Sequence, residues 1–379
     1  MQVRPHSRYA LLALAIFALL AALWAGLLRL GWSLPPLQPG LYLAHGPLMV
    51  SGFLGTLISL ERAVAVARKP AYLAPALTAL GALALIFNLP DPVGAVLITA
   101  GSAALLWNFA IILRRQTALF TVTMTLGALA WLIGNCLWLF GEPIPLMVFW
   151  WAAFLVLTIT GERLELSRMM KPTRLSRVLF ATAAIVYLSG IATASFRLAP
   201  GMRVAAIGVI VLALWLALYD VARRTVYQKG LTRFIAASLL GGYAWLAASG
   251  VLWFVFAGAL AGYRYDAMLH SVFLGFVFSM IFAHAPLIFP AVTGKSMPYR
   301  RSFYVHVVLL HLSLLLRIVG GDLLGSFPAY QWGGLLNVVT LLIFLGNTGF
   351  ALMSAPARTP STFSRSVDGG QEMRFGIRN

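Results

Sequence analysis

Charged residues are scarce in this chain of 379 residues. Asp, Glu, Lys and Arg make up 10% of the sequence, whereas hydrophobic residues make up 61%. A soluble domain usually carries roughly 25% charged residues, because its surface must interact with water. The composition therefore excludes a soluble fold and indicates an integral membrane protein.

Cysteine is almost absent, since Cys136 is the only one and lies in an apolar segment. A single cysteine excludes a disulfide framework, a thiolate cluster and a c-type haem attachment motif. Acidic residues are also few, with 10 against 28 Lys and Arg. The basic residues are scattered singly at the ends of apolar segments and form no phosphate-tracking patch, so nucleic acid is excluded as a partner.

Apolar segments of spanning length recur along the chain. A helix needs about 20 residues to cross the hydrocarbon of a bilayer. We therefore predict an all-α polytopic membrane protein, with one twelve-helix transmembrane domain in the lipid bilayer over residues 1–354 and a polar, disordered cytoplasmic tail over 355–379. The predicted spans are 9–31, 40–60, 71–89, 92–113, 117–140, 144–161, 176–196, 203–222, 232–258, 265–289, 302–321 and 328–354.

The distribution of basic residues predicts the orientation of these spans. When alternate connections are assigned to opposite sides, one side holds 23 Lys and Arg and the other holds 5. Positively charged connections stay in the cytoplasm. Both termini are therefore predicted to be cytoplasmic.

Histidines are the ionisable residues that matter most inside the spans. Ionisable groups in hydrocarbon cost several kcal/mol and are functional candidates by default. The predicted orientation places His45 on span two and His270 on span ten at one depth near the outer surface. Two imidazoles at one depth on different helices are what bis-histidine ligation of a b-type haem iron requires. The alternative is that each histidine bonds a neighbouring helix.

Three further histidines lie in the inner half of the bundle. At 100° per residue, the step from His270 to His284 brings both to one face, too far apart for one metal. His306 and His311 on span eleven lie near the depth of His284. These three give a hypothesis of a second inner haem site, against the alternative that His284 only meets headgroup water.

Four residues near the two outer histidines are candidates for contact with the cofactor. Met49 and Gly52 follow His45, and Gly275 follows His270. Small residues on these helices leave room for a flat cofactor such as haem, although they are equally typical of close helix packing in lipid. Arg264 is a candidate partner of haem propionates, and also a residue type typical of the membrane interface.

The sequence from His45 to Met49 resembles the His-Gly-x-x-Met motif that opens the second helix of the haem-copper oxidase catalytic subunit. That family has twelve spans with both ends inside, and histidines of its second and tenth helices hold a low-spin haem. The resemblance thus implies an oxidase-like bundle with His45 and His270 as haem ligands. Spans six and seven contain no histidine to match the copper ligands there, so oxygen reduction is not expected.

Span ten resembles more closely the NnrS family of haem- and copper-containing membrane proteins linked to nitric oxide metabolism. His270, Gly275 and Met280 keep that family's spacing, and Thr293-Gly294-Lys295 stands at its Thr-Gly-Arg. The resemblance implies a haem protein of the bacterial cytoplasmic (inner) membrane. Leu287 and Val292 replace an arginine and a histidine of the family, which leaves copper without evident ligands.

Together these features predict a membrane haem b protein that transfers electrons to a redox partner or handles a diatomic gas such as nitric oxide. The sequence contains no set of catalytic side chains that indicates a particular reaction. Two alternatives remain: a secondary transporter of a small solute, for which twelve spans are also common, and a membrane assembly factor that binds no haem.

Overall fold

The computed structural model describes residues 5–170 and 172–354, and within them it is all-helical. Twelve helices of this part are long and apolar enough to cross a membrane, which confirms the predicted number of spans. The predicted tail, 355–379, lies outside the described residues. The helices are α1 (Ser7–Arg29), α2 (Leu41–Val66), α3 (Lys69–Ile86), α4 (Val93–Arg115), α5 (Leu119–Leu139), α6 (Ile144–Ser167), α7 (Arg174–Ala194), α8 (Leu198–Tyr219), α9 (Gly230–Val255), α10 (Gly262–Pro290), α11 (Phe303–Leu323) and α12 (Phe327–Met353).

Helices α2, α6 and α10 form the centre of the bundle. In the most apolar 18-residue stretch of these three helices, 67%, 72% and 72% is buried inside the protein. The corresponding share is 33% for α4 and for α12. A helix that is apolar on all sides must be covered by protein or by lipid. Lipid therefore covers much of the apolar surface of the outer helices, whereas other helices cover most of α2, α6 and α10.

Small residues allow the close packing on which membrane helices depend. At Gly190 of α7, an added Cβ would lie 2.2 Å from the backbone nitrogen of Ala205 in α8. Such contact between backbones is the usual means of helix association in lipid, where burial of apolar surface gives no net gain.

Two helices continue past their predicted ends because their charged residues are paired inside the protein. Helix α2 reaches Val66 and α6 reaches Ser167, against predicted ends at residues 60 and 161. Arg62 of α2 forms ion pairs with Glu61, at 2.8 Å, and with Glu162 of α6. Charges that neutralise one another across two helices remain within the helical segments.

Three of the helices contain an eight-residue π-helical segment: Leu48–Gly55 in α2, Ser271–Phe278 in α10 and Leu316–Leu323 in α11. In a π-helix the backbone bonds run from residue i to i+5, so a turn takes up an extra residue and side chains lose their α-helical phase. The segment in α10 separates His270 from His284. The expectation that these two share one face assumed an uninterrupted α-helix, and the π-helical segment contradicts that assumption.

Candidate functional site

The side chains of His45 and His270 lie next to each other between α2 and α10. Their ring centroids are 6.5 Å apart and their planes are inclined by 30°. Further along the same two helices, Phe53 and Phe278 stack with centroids 6.1 Å apart. The two helices therefore adjoin at both positions.

The backbone of α1 fixes the ring of His45. This residue follows a 3₁₀ turn, Leu41–Ala44, and stands at the start of regular helix. Its Nδ1 lies 2.8 Å from the carbonyl oxygen of Ala22. A Cβ added at Gly26, one turn further along α1, would stand 3.0 Å from Cε1 of His45. The glycine thus leaves the space in which the imidazole lies.

Acidic and basic side chains fix the ring of His270. Its Nδ1 lies 3.1 Å from the backbone oxygen of Asp266 and 3.1 Å from the carboxylate Oδ1 of the same residue. Arg317 of α11 donates to both oxygens of that carboxylate, from Nε and from Nη2, at 2.8 Å each. This bidentate pair is the strong form of a guanidinium–carboxylate contact, and it holds Asp266 in place.

These contacts determine which nitrogen of each ring carries hydrogen. In a neutral imidazole one nitrogen donates and the other keeps a lone pair. Nδ1 of both His45 and His270 faces oxygen acceptors, so Nδ1 is the donor and Nε2 keeps the lone pair. The side-chain hydrogen bonds of the described residues include none to Nε2 of either ring. Both histidines therefore have a free nitrogen lone pair, as a metal ligand requires.

Sequence reasoning missed the residues that support the pair. Asp266 precedes His270 by four positions, a helical spacing that was visible in the sequence. From the sequence, Arg317 is one of the five basic residues assigned to the outer side. It is 6% exposed and lies within α11, where it pairs with Asp266. The contribution of α1 through Ala22 and Gly26 had no signal in the sequence.

The four other residues predicted at this site have surroundings of their own. Met49 is half-buried in the π-helical segment of α2. An added Cβ at Gly52 would meet Cβ of Ala82, at 2.9 Å, in α3. An added Cβ at Gly275 would meet Trp245 of α9, at 2.5 Å, and the guanidinium of Arg264 lies 5.6 Å from the ring centre of Phe256. Both glycines thus serve close contact between helices.

The inner histidines have three different sets of neighbours. Nε2 of His284 lies 3.5 Å from Nη1 of Arg163. His306 packs among phenylalanine rings, the nearest being Phe282 with a centroid distance of 4.7 Å. Nδ1 of His311 accepts a hydrogen bond of 3.0 Å from the indole of Trp245. A second haem site among these three residues stays a prediction.

Arg163 belongs to an ion pair that the sequence did not reveal. Its Nε and Nη2 donate to the two carboxylate oxygens of Asp220, at 2.8 Å each, and both side chains are buried. Asp220 also accepts from the backbone nitrogen of Ala222 at 2.7 Å. The pair joins α6 to the end of α8 and places a fixed positive charge beside His284.

Comparison with protein families places the chain in one of them. Residues 8–353 match the model of a family described as a domain of unknown function, DUF8744. The chain belongs to the DUF8744 family. No curated protein and no solved structure matches it. Within the described residues of this DUF8744 member, no cluster of three or more His, Cys, Asp or Glu side chains is arranged to hold a metal ion.

Proposed function

We propose that this protein binds one haem b between His45 and His270 and transfers electrons through it. The observation that carries the proposal is the spacing of the two rings, together with their tautomers. With iron–nitrogen bonds of about 2 Å, two imidazoles on opposite faces of one iron have centroids about 6 Å apart. The distance here is 6.5 Å.

The surroundings of the histidines also fit this cofactor. Histidines that ligate metals usually donate the other ring N–H to a carbonyl or a carboxylate, which fixes the tautomer and the ring orientation. The oxygen of Ala22 does this for His45, and Asp266 does it for His270. Arg317 holds Asp266 through both carboxylate oxygens. The protein residues thus orient both lone pairs before any ligand arrives.

Electron transfer is the function that such a site serves best. When bound, haem supplies a centre that gains and loses one electron. His45 and His270 would hold the iron as its two protein ligands, so a diatomic gas would bind only if one of them left. Two protein ligands held by α1, α10 and α11 favour retention of both. The resemblance to NnrS at His270 supports the cofactor and links the electron transfer to nitric oxide metabolism.

The remaining parts of the proposal concern the membrane and the fold. The excess of basic residues at one end of the bundle supports insertion in a bacterial cytoplasmic membrane with both termini inside. In that orientation His45 and His270 lie near the periplasmic surface, within reach of a redox partner on that side. The resemblance at His45 supports a bundle related to that of the haem-copper oxidases.

Absorption spectra of purified variants test the proposal. The wild-type chain, expressed with ample haem, is expected to carry one haem per chain and to show a sharp α band on reduction. His45→Ala and His270→Ala are expected to lose this band, whereas His284→Ala, on the same helix as His270, is the matched control and should keep it. A colourless wild-type protein would support a transporter or an assembly factor instead. A band that survives in both outer variants would place the haem elsewhere.

A further inference from the structure

A cavity of about 740 Å³ lies at the other end of the bundle, between the start of α9 and the start of α11. Three basic side chains line it: Lys229, Arg233 and Arg301. No Asp or Glu is among its lining residues. The salt bridges within the described part of the chain involve none of these three cations. The cavity therefore carries positive charge that the described residues do not neutralise.

An aromatic wall gives this cavity a fixed shape. Tyr299 and Tyr304 line it, and both pack on the fully buried ring of Phe234, with centroid distances of 6.2 Å and 5.4 Å. Apolar contact comes from Val226 and Ala237. The cavity thus combines cations, phenol groups and an apolar surface in one partly open space at the helix ends.

We propose that this cavity binds the phosphate headgroup of an anionic phospholipid. Guanidinium and ammonium groups are the usual partners of phosphate oxygens, and arginine matches them with two donors at once. The cavity lies where α9 begins at Gly230 and α11 begins at Phe303, the level at which spanning helices meet the headgroups. Basic pockets between membrane helices on the cytoplasmic side bind anionic headgroups, and this end is the one predicted to be cytoplasmic.

The apolar wall favours a lipid over a soluble anion as the source of the phosphate. Val226 and Ala237 offer contact to the glycerol and the first acyl carbons of a lipid, which inorganic phosphate lacks. The cavity is separate from the histidine pair, so its assignment does not depend on haem binding.

Native mass spectrometry of the full chain tests this proposal. The protein is incubated with an equimolar mixture of phosphatidylglycerol and phosphatidylcholine. The variant K229Q/R233Q/R301Q is compared with R68Q/R114Q/R115Q, which removes the same charge from exposed residues of the same end, outside the cavity. Since each cation near a headgroup contributes about 1 kcal/mol and the cavity variant lacks three, we expect it to bind phosphatidylglycerol about a hundredfold more weakly. The control should stay within about twofold of wild type.

Two outcomes would overturn the proposal. Equal retention of phosphatidylglycerol by wild type and the cavity variant would mean that the cavity does not bind this lipid. Displacement of the lipid by inorganic phosphate at matched concentration would identify a soluble-anion site instead. Circular dichroism of both variants, showing wild-type helix content, ensures that a loss of lipid reports the cavity and not the fold.

Discussion

The two ends of α10 carry a histidine each, and the two have opposite surroundings. His270 faces a second imidazole, and its supporting carboxylate is neutralised by Arg317. His284 instead has its Nε2 beside the guanidinium of Arg163, at 3.5 Å. A fixed cation at that nitrogen opposes a metal cation there. The neighbours of a buried histidine, more than its depth, therefore decide whether it is available as a ligand.

The position of the hydrogen divides four of the five membrane histidines differently. His45, His270 and His284 direct Nδ1 at backbone oxygens, so each keeps a lone pair on Nε2. His311 accepts at Nδ1 from an indole N–H, which requires the hydrogen on Nε2 and removes the free lone pair. Of the three with a free Nε2, only His284 is approached there by a cation.

Breaking the ion pair at the inner end is expected to have the largest effect. Arg163→Ala leaves the fully buried Asp220 without its partner, and the loss of one member of a buried pair costs about 3–5 kcal/mol of unfolding free energy. A thermal melt of the purified protein followed by circular dichroism measures the loss. The double variant R163M/D220L is expected to recover most of it, because no buried charge remains. An equal loss in the double variant would mean that the pair serves a role beyond mutual neutralisation.

Removing the carboxylate at the outer end is expected to act on haem binding, and also to destabilise the fold, because the buried Arg317 loses its partner. Asp266→Asn weakens the hydrogen bond to Nδ1 of His270, and changes behind a metal ligand typically cost 10–100-fold in affinity. We also expect a higher reduction potential, since a less anionic ligand stabilises ferric iron less. Haem titration and spectroelectrochemistry measure both quantities.

The exposed Asp91→Asn, in a connection at the same end, is the control for Asp266→Asn and should change neither quantity. An unchanged reduction potential in Asp266→Asn would mean that this carboxylate does not influence the haem ligand.

Crowding the ring of His45 is expected to have the smallest effect. In Gly26→Ala the new methyl group stands 3.0 Å from Cε1 and 3.1 Å from Nδ1 of His45, so the ring must shift by a few tenths of an ångström. We expect weaker haem binding by about tenfold or less. Gly346→Ala in α12 has no neighbour within 4 Å and is the matched control, for which a slight stabilisation follows from helix propensity. Identical haem affinity in both variants would mean that the space left by Gly26 does not limit the position of the His45 ring.

The sequence predicted the helices well and the contacts between them only in part. Twelve spans follow from local hydropathy, which each segment carries by itself. The depth of His45 and His270 follows from orientation, and the structure places their rings side by side. Partners such as Arg163 and Asp220 are 57 positions apart, so no local pattern joins them. The π-helical segments were also invisible, because they shift the phase of side chains without changing the composition.

Electron paramagnetic resonance of the oxidised, purified wild-type protein tests the central claim most directly. Bis-histidine ligation predicts a low-spin ferric haem signal that accounts for one iron per chain and is absent from the double variant H45A/H270A. A high-spin signal, or a protein free of haem iron after expression with ample haem, would contradict the assignment of His45 and His270 as axial ligands.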